Sequence, residues 1–78
     1  MRFSYDPRYN VAYLRLREKR AKVETIRVGE ALNVDLAADG TIYGIELLNA
    51  NEQLLGLVGG KLEVENEATG QKAEVVLT

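Results

Sequence analysis

The sequence predicts an α+β fold that is mostly β: an antiparallel sheet of about five to seven short strands built from hairpins, with one short helix. Three observations predict it. Apolar and polar residues alternate with period two through most of the chain, which suits strands. Asp39-Gly40 stands between two such alternating runs, the strongest short-range signal for a hairpin. Asn49 to Val58 has Leu54, Leu55 and Val58 at helical spacing, enough for one or two turns, with Gly59-Gly60 to end the helix. At 78 residues the chain has room for one domain, expected to comprise residues 1–78.

The elements follow in order. Tyr5 belongs to a short β-like run that Asp6-Pro7 turns back. From Val11 to Leu16, Ala12, Leu14 and Leu16 share one face while Tyr13 and Arg15 share the other. The polar stretch 17–22 separates this strand from Val23 to Val28, whose β-branched residues favour a sheet. Gly29-Glu30 then interrupts the pattern as a bulge or sharp bend. Leu32, Val34 and Leu36 alternate with Asn33 and Asp35, and Thr41 to Leu48 continues beyond Asp39-Gly40, read as a tight type I′ turn with positive φ at Gly40. Lys61 to Asn66 and Gln71 to Thr78 frame a second hairpin around Glu67-Ala68-Thr69-Gly70.

The residue types that are absent restrict the chemistry. Without cysteine or histidine there is no Ser-His-Asp or Cys-His nucleophile, no thiol redox chemistry and no imidazole base. Acid–base work would fall to carboxylates, lysines and tyrosines with strongly shifted pKa values, which a core this small seldom provides. Catalysis and cofactors are therefore not expected. The start Met1-Arg2-Phe3-Ser4-Tyr5-Asp6-Pro7 lacks the apolar stretch of a signal peptide, and the cluster around Leu54-Leu55-Gly56-Leu57-Val58 is too short to span a bilayer. No membrane association and a cytoplasmic location are the resulting expectations.

Tyr5-Asp6-Pro7, Asn10-Val11-Ala12-Tyr13-Leu14-Arg15-Leu16, Asn33-Val34-Asp35, Asp39-Gly40 and Gly44-Ile45-Glu46-Leu47-Leu48-Asn49-Ala50 occur in an order and spacing that are specific when taken together. Over about residues 1–55 the chain resembles a family of small prokaryotic proteins known only as a domain of unknown function, the DUF2283-like proteins. The resemblance implies no activity. The segment from Gly59 to Thr78 lies beyond its pattern.

Three groups of residues are candidate sites. Asp35, Asp39 and Glu46 fall at the first, fifth and twelfth ligand positions of an EF-hand loop with Gly40 sixth, but Ala37 replaces the third ligand and the flanks alternate like strands. A hairpin turn accounts for Asp39-Gly40 and leaves Asp35 and Glu46 as solvent-facing residues on paired strands. Asp6, Asp35 and Glu46 could share acid and base roles if their strands were neighbours, although Asp6 also suits an Asx-type turn and Asn10 and Asn49 suit loop positions that satisfy nearby backbone. Arg15, Arg17, Lys19, Arg20, Lys22 and Arg27 could meet nucleic-acid phosphates, but Glu18 and Glu24 interrupt the cluster and a pI near 5.1 opposes such binding. The plain account is a solvated tip whose Lys and Arg stems cover apolar surface. The tyrosines at 5, 9, 13 and 43 read as core bulk.

The leading expectation is a non-enzymatic module that self-associates or binds another protein; the alternative binds a small ligand, a metal ion or nucleic acid through the 35–46 hairpin or the 15–27 region. A chain this short, with neither disulfide nor metal, needs further stabilisation, and a shared apolar surface in a homodimer supplies it. Residues 1–39 carry a net charge of +2 and residues 40–78 a net −4, so opposite halves can meet across a two-fold axis. The run Ala73 to Thr78 has no late lysine or proline to discourage edge pairing. The competing expectation is a monomer whose sheet and helix close on themselves.

Overall fold

The structure is a computed structural model that describes residues 1–18, 21–54 and 60–76. It contains β1 (Arg2–Asp6), β2 (Val11–Arg15), β3 (Val23–Gly29), β4 (Leu32–Ala37), β5 (Ile42–Leu48), α1 (Ala50–Gln53), β6 (Lys61–Glu65) and β7 (Lys72–Val76). The first five strands form one antiparallel sheet in the order β1-β2-β5-β4-β3, and β6 pairs with β7 in a separate two-stranded sheet. The mostly β fold with hairpins and one short helix is as the alternation predicts.

The register divides the residues cleanly. Phe3 pairs with Leu14 and Tyr5 with Ala12; across β5 and β4, Ala12, Leu47 and Leu32 lie in one row and Leu14, Ile45 and Val34 in another, with Ile26 beyond Val34. These residues make one face apolar. The other face carries Ser4, Tyr13, Arg15, Glu46, Asn33, Asp35, Thr25 and Arg27. A sheet with one wet face requires this alternation. Among the described residues, Ala12, Tyr43 and Ala50 are the buried hydrophobic ones, and no large side chain is completely enclosed.

Both irregularities of the sheet sit where glycines stand. The register slips between Arg27 and Gly29, so the expected interruption at Gly29-Glu30 is a bulge at the end of β3 followed by the turn into β4. A second slip places Tyr43 as an extra residue in β5, since Asp35 pairs with Gly44 and Leu36 with Ile42. This bulge moves Ile42 to the apolar side and leaves Tyr43 only 8% exposed.

The β4–β5 hairpin exists, but its turn is not type I′. Gly40 N–H donates to Ala37 O at 2.9 Å and Ala37 N–H to Thr41 O at 2.8 Å, enclosing a three-residue loop in which Gly40 alone has positive φ, at 86°. Type I′ needs positive φ at both central residues, whereas a type I turn closed by a left-handed glycine needs it once. Asp39 instead holds the loop with its Oδ1, which accepts from Thr41 N–H at 3.0 Å and Thr41 Oγ1 at 2.6 Å. No atom lies within 4 Å of a Cβ built on Gly40, so substitution there strains only the backbone. Gly40→Val is expected to cost about 1–3 kcal/mol in thermal or urea unfolding, and Gly40→Asn markedly less because asparagine tolerates the left-handed region.

The short helix is a single turn, running from Ala50 to Gln53 with Leu54 at its C-cap; Leu55, Val58 and Gly59 of the expected segment lie outside the described residues. Its buried residue is Ala50, and Gln53 Nε2 donates to Ala31 O and Leu48 O, pinning the helix to the sheet end where β5 finishes and β3 turns into β4. The last hairpin forms as expected around Gly70, whose φ is 74°; Leu77 and Thr78 lie outside the described residues.

Candidate functional site

The polar face of the five-stranded sheet holds a linked set of side chains. β2 carries Tyr13, β3 Thr25 and β4 Asp35, and both hydroxyls donate to the Asp35 carboxylate: Tyr13 to Oδ2 at 2.7 Å and Thr25 to Oδ1 at 2.6 Å. Tyr13 can cross β5 to reach β4 because Gly44 lies beneath its ring: a Cβ there would stand 2.5 Å from Tyr13 Cζ. The next rung pairs Asn33 with Glu46, and Asn33 Nδ2 donates to Glu46 Oε1 at 3.0 Å. Arg15 Nε is enclosed without a hydrogen-bond partner among the described residues.

Asp35 and Glu46 are therefore half-buried and hydrogen-bonded rather than solvent-facing, because neighbouring strands bring donors that a reading of β4 and β5 alone does not contain. Asp39 lies apart at the hairpin tip, held by Thr41, whose hydroxyl and amide keep its pKa below the ordinary value. Strands, not helices, flank the 35–46 segment, and no group of three or more potential metal ligands assembles among the described residues. Asp6 does not join Asp35 and Glu46. It pairs with Val11 at the turn end of β1, accepts from Arg8 N–H at 2.9 Å in the expected Asx turn, and has its pKa lowered by the Arg8 guanidinium at 3.0 Å.

The described basic residues lie in different elements. Arg15 lies in β2, Arg17 is exposed beyond it near Asp39, Lys22 precedes β3, and Arg27 Nε donates to Gly29 O at 3.2 Å; Lys19 and Arg20 lie outside the described residues. A shallow cleft of 360 Å³ lies between Lys22, Val23, Glu24 and the β4–β5 turn, away from the Asp35 network. Of the tyrosines, Tyr43 is buried and Tyr5 and Tyr13 are half-buried, but Tyr9 is 74% exposed beneath the Arg8 guanidinium, 5.6 Å from its ring centroid.

One cluster escapes sequence reasoning. Asn10 and Asn49 both adopt left-handed backbone, with φ of 56° and 54°, and Asn10 Oδ1 accepts from Asn51 N–H at 2.8 Å while its Nδ2 donates to Asn51 Oδ1 at 2.6 Å and Asn49 Oδ1 at 3.2 Å. The expectation that these asparagines satisfy nearby backbone misses a partner 41 residues away. The usable signal is that asparagine is the non-glycine residue that best tolerates positive φ. This knot and the Ala50 N–H bond to Asn10 O at 3.0 Å tie the β1–β2 turn to the start of α1.

A sequence profile of a family described as a protein of unknown function, DUF2283, matches residues 2–51. The chain belongs to this family. The DUF2283 match contains the whole five-stranded sheet and the start of α1, while β6 and β7 lie beyond it. The residues through which the DUF2283 likeness is legible include Asn10, Tyr13, Asp35, Gly44, Glu46 and Asn49, the same residues that build the Tyr13–Asp35 network and the asparagine knot. No curated protein and no solved structure matches the chain.

Desolvation and then the Asp35 hydrogen bond push the Tyr13 pKa far above its ordinary value. A phenol whose folded pKa is raised adds stability that is present below its unfolded pKa of about 10 and is lost as pH rises past it, since the unfolded chain then releases a proton that the folded one retains. The melting temperature is therefore expected to fall above about pH 10, and Tyr13→Phe to flatten part of that fall. At pH 7 the same variant leaves Asp35 with Thr25 alone and costs about 1 kcal/mol. A pH series of melts on both proteins measures both effects.

Proposed function

We propose that the protein is a non-catalytic, self-associating module, with the whole chain of residues 1–78 acting as one unit in the cytoplasm as a homodimer. One observation carries the reading: the isolated chain exposes 6159 Å², whereas a compact monomer of 8.7 kDa exposes about 4,700 Å². The excess of roughly 1,400 Å² exceeds the ~800 Å² that each partner contributes to a standard interface. The apolar sheet face of Phe3, Leu14, Ile45, Leu47, Leu32 and Val34 is only half-buried, and residues 61–76 are exposed throughout. Strand β3 adds to it, exposed along its full length with Ile26 and Val28 uncovered. A flat apolar face and an open edge fit a protein partner, whereas Asp35 and Glu46 are occupied by neighbouring side chains and do not line the 360 Å³ cleft.

Sedimentation equilibrium between about 1 and 100 μM tests the proposal. A mass of two chains that falls toward one on dilution, with a melting temperature that rises with concentration, is expected. A mass of one chain across the range overturns it.

A further inference from the structure

We propose that the β6–β7 hairpin of one copy docks by its apolar face on the open β3–β4 end of the apolar sheet face of a second copy, and reciprocally. This rests on the self-association reading and names the segment that makes the contact.

The hairpin has two unlike faces. Leu62 pairs with Val75 and Val64 with Ala73 on one side, while Lys61, Glu63, Glu65, Lys72 and Glu74 occupy the other together with Val76 at the open end. The charged face is internally compensated: Lys61 meets Glu74 at 3.2 Å, and Lys72 meets Glu65 at 3.6 Å and Glu63 at 3.7 Å, which offsets the direct opposition of Glu63 and Glu74. That face suits water. The apolar face does not, yet Leu62, Val64 and Val75 are 40%, 56% and 47% exposed, and among the described elements β6 and β7 pack extensively only on each other. A lone two-stranded hairpin is marginal in water, so this one needs a surface to cover.

The five-stranded sheet offers one of matching kind. Its apolar face is half-buried at the centre but open at the β3 side, where Ile26 is 41% and Val28 60% exposed. A two-stranded ribbon spans the same width as β3 and β4. Reciprocal docking covers the hairpin and the sheet face in both copies, which accounts for the large excess area of the single chain.

The chain has no cysteine, so introduced thiols report proximity without background. Chains carrying Ile26→Cys or Val28→Cys are refolded at equal concentration with chains carrying Val64→Cys or Val75→Cys and then oxidised. All four positions are exposed in the single chain, so the variants should fold. At least one sheet–hairpin pair is expected to give a mixed two-chain disulfide about tenfold faster than either chain gives with itself, while Glu63→Cys on the opposite face gives none. Statistical cross-linking in all four pairs overturns the inference, as does a chain carrying both substitutions that closes only within itself. If the unmodified protein sediments as one chain, the self-association reading fails as well; if it is a dimer without the mixed disulfide, only the hairpin contact is wrong.

Discussion

Gly44→Ala is expected to lower stability by about 2–4 kcal/mol, equivalent to a drop in melting temperature of about 10–25 °C for a domain of this size. Gly44 is not among the positive-φ glycines, so alanine can adopt its backbone and the penalty is steric. The new methyl would overlap the Tyr13 hydroxyl and stand 2.5 Å from Cζ and 2.7 Å from Cε1. Displacing that ring also breaks the 2.7 Å bond to Asp35 and uncovers the strand beneath, so overpacking and a lost hydrogen bond add. A double-mutant cycle identifies the cause: in a Tyr13→Ala background, Gly44→Ala should cost less than about 0.5 kcal/mol, because the atoms it strikes are gone. Equal costs in both backgrounds would refute the close approach of ring and glycine.

Ile45→Asp is expected to raise the dissociation constant of the proposed dimer at least about a thousandfold, which corresponds to about 4 kcal/mol. Ile45 sits in the central strand of the sheet between Leu14 and Val34 on the apolar face. In a lone chain it is half-buried, so an aspartate can turn toward water and loses chiefly the roughly 1–2 kcal/mol of partial isoleucine burial. Under a second copy the carboxylate is desolvated without a partner, a penalty of about 3–5 kcal/mol that outweighs the lost apolar contact. Ser4→Asp on the opposite face provides the control and should change the constant by less than about twofold. A dimer that survives Ile45→Asp undiminished would place the interface elsewhere.

The strands were legible because alternation is a local property. Val11 to Leu16 shows which residues share a face whatever lies beside them, and the same holds for Leu32 to Leu36 and for Lys61 to Asn66. Turns were legible to within their type. Gly40 and Gly70 stand where a left-handed residue is needed, but the choice between a two-residue and a three-residue loop at Asp39 depends on which carbonyl closes the turn. The bulge at Tyr43 was not legible, since an unbroken run from Thr41 to Leu48 reads equally well without it. The candidate site was legible only as a list of residue types: Asp35 and Glu46 stood out, while Thr25, Asn33 and Gly44, which determine what those carboxylates do, carry no signal of their own.

The sequence by itself determined the class of fold, the faces of the strands and the exclusion of thiol and imidazole chemistry, because each follows from neighbours along the chain or from composition. Only the tertiary structure decided that β5 lies at the centre of the sheet between β2 and β4, that Tyr13 and Asp35 meet across 22 residues of sequence, and that Asn10 holds Asn51 across 41. It also decided that β3 is exposed along its length, with Ile26 and Val28 open to solvent. The physical reason is that alternation specifies which way a side chain points but not which strand lies beside it. Strand order follows from the total free energy of closing loops and burying surface, a sum over contacts distant in sequence that no local pattern contains.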